Sequence, residues 1–194
     1  MTTPHYEVPT WNQVYMMLLN QAEKILGSAF KLDVMVGVAR GGLVPARILS
    51  DLLENSNLAT VRVESRQTNG EDRMKPVLMQ ALTMPLAGKK VLIVDDVADT
   101  GQSLSMVKEH VLQHDAEEIR VATLYYKPWS TVKPDYYEKE TKFWIIFPWD
   151  MKENIRRIIE KQGETPPKKI AGLPKQLTTR LLKQMQEQKQ CGNT

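Results

Sequence analysis

The sequence predicts an α/β protein built on a mostly parallel sheet covered by helices on both faces. Three observations carry that expectation. Short apolar, β-branched runs recur along the chain, segments with helical spacing separate them, and the polar, charge-bearing motifs stand just after the apolar runs. Strands buried on both faces read as continuous apolar runs, and their alternation with helices is the pattern of parallel crossovers. In such sheets a ligand sits beyond the carboxyl ends of the strands.

The opening helix is expected from about Thr10, an N-cap residue, to Leu26, where Gly27 ends it. Val14, Met17, Leu18, Ala22 and Ile25 recur at helical spacing and mark its inner face. DVMVGVA (33–39) reads as a buried strand that breaks into RGG. A helix follows over LVPARILSDLL, with Pro45 tolerated in its first turn. ATVRVES (59–65) is the second strand, and RQTNGEDRMKP (66–76) reads as a mobile surface loop. After Gly88, KKVLIVDD is the third strand; a helix from about Ser103 to His114 and the strand EIRVATLYY come next. KFWIIF (142–147) is expected as a fifth, short strand. From Gln162 the composition shifts: GETPPKK looks like a linker, and LPKQLTTRLLKQMQEQ like an amphipathic helix with Leu177, Leu181, Leu182 and Met185 on one stripe. The expected organisation is one domain over residues 1–161, with linker and closing helix over 162–194.

Composition narrows the function classes. The chain has 194 residues, 42% hydrophobic and 25% charged, the proportions of an ordinary soluble domain. The formal charge of +3 is too small to argue for nucleic acid by itself. It is unevenly spread: from Met151 onward there are ten Lys/Arg against four Asp/Glu, a basic segment that reads first as a solvated face. Cys191 is the only cysteine, which excludes an intramolecular disulfide and a thiolate metal cluster. With no signal-like N-terminus and no apolar run of about 20 residues, the expectation is a cytoplasmic protein with no membrane partner.

The chemistry is concentrated in VLIVDDVADTGQS (91–103). Small and hydroxylic residues between a strand and a helix let several backbone N–H groups converge, and the helix dipole adds positive potential, which suits a phosphate. Thr100 and Ser103 bring hydroxyls and Gly101 allows close approach; no GxxxxGK[ST] loop is present. With no Lys in the loop, a monophosphate fits better than a triphosphate. Asp95 and Asp96 would repel an anion unless ribose hydroxyls or a hydrated Mg²⁺ stood between. The plainer alternative for either Asp is a cap of the following turn. A receiver domain also ends a strand in VLIVDD and later shows Lys-Pro. Only 31 positions separate Asp96 from Lys127, too few for the strands that fold places between them.

VLIVDDVADTGQS resembles the phosphoribosyl-diphosphate (PRPP) motif of type I phosphoribosyltransferases. VGVARGGLVPARIL is similar to the diphosphate-binding segment of that family, and YYKP with FWIIFPWD looks like the hood of bacterial xanthine-guanine phosphoribosyltransferases. The likeness spans roughly residues 30–155 and implies a parallel-sheet fold with a flexible lid and a small hood at about 127–155. By position, it implies that Ala39, Arg40, Gly41 and Gly42 form the diphosphate loop, joined by Arg73 or Lys75 from the lid. Asp95 and Asp96 would hold the ribose and Mg²⁺, and Asp99, Thr100, Gly101, Gln102 and Ser103 would wrap the 5′-phosphate. Asp99 would also act near N7 of the purine; Lys127 would donate to O6, Trp144 would stack on the base, and Ile145 would give backbone contacts. Trp149 and Asp150 read as support for the hood. Two positions depart from the family: Gln102 replaces a small residue, and Ala39 stands where Ser or Lys precedes the turn, leaving that position only its backbone, through a strained or cis peptide.

The reaction so implied is purine salvage: transfer of 5-phosphoribosyl from PRPP to a 6-oxopurine, releasing diphosphate. Hypoxanthine and guanine are the expected acceptors and xanthine a further candidate, because a Lys donor disfavours an amino group at position 6. The resemblance also implies a homodimer or homotetramer. The alternative is a PRPP-sensing, nucleic-acid-binding regulator on the same fold, which the basic C-terminal segment would suit. Lys127, Trp144 and PWD, which a regulator has no need to keep, weigh for the enzyme. His5, His110 and His114 are expected outside the site, the last two as surface residues of one helix.

Overall fold

A computed structural model describes residues 6–67, 74–162 and 175–191. Along the chain the elements are β1 (Tyr6–Glu7), α1 (Trp11–Leu26), β2 (Val34–Ala39), α2 (Leu43–Leu52), β3 (Leu58–Gln67) and β4 (Met74–Gln80). There follow β5 (Lys90–Ala98), α3 (Gln102–Leu112), β6 (Glu118–Tyr126), β7 (Tyr136–Glu140), β8 (Trp144–Ile145), α4 (Met151–Gln162) and α5 (Lys175–Cys191). Residues 12–142 form one compact unit, and the described residues on either side of them form a second.

The larger unit is organised by a six-stranded sheet in the order β4-β3-β2-β5-β6-β7. All neighbours run parallel except β3 and β4, which pair antiparallel. The inner strands are the apolar runs of the sequence: Val91, Leu92, Ile93 and Val94 of β5 are fully buried. On one face Val34, Val36, Val38, Val91, Ile93 and Val121 pack with Leu104, Val107 and Val111 of α3. On the other, Gly37 leaves room for Ala46 of α2, whose methyl lies 3.0 Å from where a Cβ would stand. Val14, Leu18, Ala22 and Ile25 of α1 are buried as the spacing predicts. Gln21 is buried beside them, and its amide donates to the carbonyls of Thr123 (2.9 Å) and Tyr136 (3.3 Å), tying α1 to β6 and β7. Each fully buried Val, Leu or Ile side chain gains roughly 1.5–3 kcal/mol from burial, enough to make these strands the rigid frame.

The structure departs from the sequence reading at the sheet edges. Residues 66–67 end β3 and residues 74–76 open β4, where the sequence reads a loop; β4 and β7 have no counterpart in the sequence reading. Both are edge strands, with one hydrogen-bonding neighbour each. Edges tolerate Pro76 and the charged Glu138-Lys139-Glu140 run that mask a strand in sequence. Only Trp144 and Ile145 of KFWIIF are extended, and they pair with β1 in a separate two-stranded sheet. Ile146 instead joins Ile155 and Ile158 of the unpredicted α4, with Leu181, Leu182 and Met185 of α5 packed against them. Thus apolarity marked burial there, not a strand of the main sheet. Phe147 and Trp149 stack at 4.7 Å in the same unit. His110 and His114 are partly buried and not plain surface residues: His110 Nε2 accepts the Leu82 N–H at 3.1 Å, and the two rings meet edge to face at 4.6 Å.

Candidate active site

Three adjacent parallel strands, β2, β5 and β6, end on the same side of the sheet. The loops that leave them carry residues 40–42, 99–101 and 127–132, and with them Arg40, Gly41, Gly42, Asp99, Thr100, Gly101 and Lys127 of the sequence reading. Ala98 pairs with Tyr126 at the last register position, and the Lys127 N–H donates to the Ala98 carbonyl at 3.0 Å. The sheet register thereby brings the third loop beside the second.

The first loop rests on the acid pair. A Cβ on Gly41 would fall within 2.6 Å of Asp96 Oδ1, and one on Gly42 within 2.7 Å of the Val38 carbonyl and 2.9 Å of Asp95 Cα. Both positions require glycine because the turn lies directly on the tip of β5. The Gly42 N–H closes the turn on the Val38 carbonyl at 2.8 Å, and the Ala39–Arg40 peptide is cis. No side chain caps α2 at Gly42. Asp95 is partly buried beneath the turn, and its carboxylate accepts the Asp96 N–H at 2.9 Å. Burial, and after it the neighbouring Asp96 charge, push the Asp95 carboxyl well above the usual range. Hydrogen bonding from the Asp96 and Gly42 backbone pulls the other way without cancelling the effect.

The second loop is held differently. Gly101 adopts φ +82°, and α3 begins behind it with no side-chain cap. A Cβ at Gly101 would meet Thr131 Oγ1 and the Val132 nitrogen at 2.6 Å. The 130–132 turn presses on the loop, with the Thr131 N–H and hydroxyl both donating to the Thr100 carbonyl at 3.0 Å. The Gln102 N–H points to Thr100 Oγ1 at 3.4 Å. Asp99, Thr100 and Gln102 are exposed and Ser103 is partly so. The uncapped start of a helix of this length has backbone donors and positive potential to offer an anion.

Lys127 leaves β6 almost wholly buried, at 5% exposure. Its ammonium lies over the Trp129 ring, 5.5 Å from the centroid, and the Trp129 indole N–H donates to Asp99 Oδ1 at 3.1 Å. Trp129 and the 130–132 turn were not anticipated; YYKPWS offered only a tryptophan in a turn, two residues past the lysine. Asp95, Asp96, Asp99–Ser103, Ala39–Gly42 and Lys127 thus share one side of one sheet. Trp144 and Ile145 form β8 in the smaller unit, where the Trp144 indole N–H donates to Asn154 Oδ1 at 2.6 Å and Ile145 is buried. Arg73 and most of the lid segment lie outside the described residues; Lys75 stands on β4.

The donor set suits a hard divalent cation shared with a substrate. Asp95 and Asp96 supply two adjacent carboxylates whose mutual repulsion a cation would relieve. Among the described residues no cluster of three or more His, Cys, Asp or Glu forms a self-sufficient cage. Mg²⁺ is commonly held by one or two carboxylates plus substrate phosphates, so the pair fits it.

Comparison with known proteins agrees with this geometry. A family model described as the phosphoribosyl transferase domain matches residues 10–156. The xanthine-guanine phosphoribosyltransferase of Cereibacter sphaeroides is 36% identical over 121 residues, covering 60% of this chain and 68% of that one. The enzyme of the same name from Gluconobacter oxydans is 29% identical over 150 residues, covering 76% and 86%. Among solved structures, a purine phosphoribosyltransferase from Pyrococcus horikoshii superposes with TM-score 0.69 at 42% identity, covering 74% of this chain and 93% of its own. A Neisseria gonorrhoeae protein crystallised with ppGpp gives 0.67 at 25% identity, covering 84% and 100%. With most of its length matched by the family model and its loops arranged as described, the chain belongs to the phosphoribosyl transferase domain family.

Proposed function

We propose that the protein is a purine salvage enzyme that transfers 5-phosphoribosyl from PRPP to a 6-oxopurine, hypoxanthine, guanine or xanthine. One observation carries the reading: an acid pair, an uncapped glycine-hinged helix start and a buried lysine stand together at the ends of β2, β5 and β6. The relatives named above as xanthine-guanine and purine phosphoribosyltransferases support it.

In this reading the backbone and hydroxyls of Asp99, Thr100, Gly101, Gln102 and Ser103 bind the 5′-phosphate. Ala39, Arg40, Gly41 and Gly42 face the diphosphate, with Arg73 from the lid. Asp95 and Asp96 hold the ribose hydroxyls and would hold Mg²⁺, directly or through water. When bound, the ion neutralises charge on the departing diphosphate. A purine nitrogen forms the new bond to C1 as the C1–O bond to diphosphate breaks, with positive charge developing on the ribose. Catalysis is then positioning and charge stabilisation, with no protein nucleophile. Asp99 serves as acid or base near N7 and Lys127 donates to O6. Trp144 and Ile145 keep the base-stacking and backbone roles that the family resemblance gives them. A cytoplasmic homodimer or homotetramer completes the proposal.

The test is purified protein with PRPP, Mg²⁺ and each of hypoxanthine, guanine, xanthine and adenine, followed by nucleotide formation. Product from the oxopurines and little from adenine is expected. Absence of product from every base removes the enzyme reading.

A further inference from the structure

Trp129 belongs to none of the roles above, yet it touches both charged groups assigned to the base, Asp99 and Lys127. The edge of its indole donates to Asp99 Oδ1 at 3.1 Å, and its face receives the Lys127 ammonium 5.5 Å from the ring centroid. A hydrogen bond lies in the ring plane and a cation–π contact lies above it, so the ring holds the two charges in different directions. The side chain is 53% exposed, so it is not there to fill the core.

Its backbone is fixed from both sides. The Lys127 N–H holds the Ala98 carbonyl at 3.0 Å, and the Ser130 N–H holds the Lys127 carbonyl at 2.9 Å. The Thr131 N–H holds the Thr100 carbonyl at 3.0 Å. Residues 127–131 are therefore laced to 98–100, the segment that carries Asp99. A ring anchored on that frame can set where a short carboxylate and a long, flexible lysine stand.

We propose that Trp129 is a positioning residue: its N–H orients the Asp99 carboxylate and its face holds the Lys127 ammonium, so one side chain sets the spacing of the two charged groups that meet the purine. This rests on the proposed assignment of Asp99 and Lys127 to the base.

A double-mutant cycle tests it, using wild type, Trp129→Phe, Asp99→Ala and the double variant. Phenylalanine keeps a ring face and loses the donor. Trp129→Phe is expected to lower kcat/KM for guanine about tenfold, with the KM for PRPP within about twofold and an unchanged melting temperature. In the Asp99→Ala background the same substitution should cost less than about twofold, because its partner is already gone. Calorimetric Kd values for GMP on the four proteins give the same cycle where turnover is too slow to follow. Equal losses in both backgrounds would assign the ring to packing and overturn the proposal, as would a Trp129→Phe enzyme equal to wild type. A wild type inactive with every purine removes the enzyme reading and the inference with it; an active wild type with a silent Trp129→Phe removes the inference alone.

Discussion

The two glycine loops at the sheet end are alike in composition and opposite in how they are held. The 39–42 turn lies against charge: Gly41 abuts the Asp96 carboxylate, and Gly42 lies over Asp95, whose own carboxyl is pushed up by burial and by Asp96. The 99–103 loop lies against neutral groups: Gly101 takes a positive φ, and Thr131 closes on the Thr100 carbonyl through its N–H and its hydroxyl. One loop is shaped by a repulsion that a ligand cation would relieve, the other by satisfied hydrogen bonds. The first should therefore respond to charge and metal, and the second to sterics and backbone conformation.

Filling each glycine breaks the comparison most severely. In Gly41→Ala the added methyl must displace Asp96, and in Gly101→Ala it must displace the 130–132 turn. Misplacement of about 1 Å at a site of this kind costs on the order of 100-fold in rate, and we expect that loss in both variants from steady-state assays. They should part in urea melts. Gly101→Ala adds a left-handed backbone penalty of roughly 1–2 kcal/mol, which Gly41→Ala escapes. Equal stabilities would mean that the positive φ at residue 101 is not what requires glycine.

Asp95→Asn sharpens the comparison from the charged side. The Asp95 carboxyl is raised above its ordinary value, so the folded state holds the proton more tightly than the unfolded chain does. Its contribution to stability is thus greatest below the ordinary carboxylate value and is lost as pH rises through the raised one. At neutral pH the wild type carries the penalty, and an uncharged isostere removes it. We expect Asp95→Asn to melt higher than wild type at pH 7, by about 2–4 °C, while turnover falls. The gain should vanish in acid. Mg²⁺ should raise the wild-type melting temperature more than that of Asp95→Asn; an equal rise would separate the ion from this pair. No comparable metal response is expected from variants in the 130–132 turn.

Legibility follows the same division between core and contact. Strands β2, β5 and β6 and helices α1 to α3 were readable because both faces of the sheet are covered, which forces runs such as VLIV and a helical stripe such as Val14, Leu18, Ala22 and Ile25. Strands β4 and β7 were not, because an edge needs only one partner and carries Pro76 or Glu138-Lys139-Glu140 without penalty. At the site, DTGQS announces itself through a local backbone demand, the positive φ at Gly101. The resting of Gly42 on Asp95, 53 positions later in the chain, is tertiary and leaves no local mark. Trp129 was missed for a related reason: a tryptophan after Lys-Pro in a turn has the same letters whether its indole meets solvent or Asp99.

Thr131→Val tests the neutral loop more gently. It deletes the hydroxyl donor to the Thr100 carbonyl and keeps the N–H, so that the carbonyl retains one of its two donors. A hydrogen bond of this kind contributes about 0.5–1.5 kcal/mol. We expect the KM for PRPP to rise about two- to fivefold, with little change in the response to Mg²⁺. A larger effect on metal response than on PRPP would mean that the two loops are coupled and not separately held.

The smallest effect lies farther from both loops, where α3 meets the segment after β4. The Leu82 N–H donates to His110 Nε2, which requires a neutral imidazole at that nitrogen. Burial first, and then the charge of His114, hold the His110 value below its ordinary 6.5. Below pH 6.5 the unfolded chain takes up a proton that the folded protein resists, so stability falls as pH drops through the depressed folded value and then levels. Because the ring is only partly buried, the melting temperature should drift down by about 1–2 °C between pH 7 and pH 5 on this account. His110→Gln, which keeps an acceptor for Leu82 and cannot titrate, should flatten that drift without moving the response of the acid pair. A drift unchanged in His110→Gln would show that His110 does not carry it.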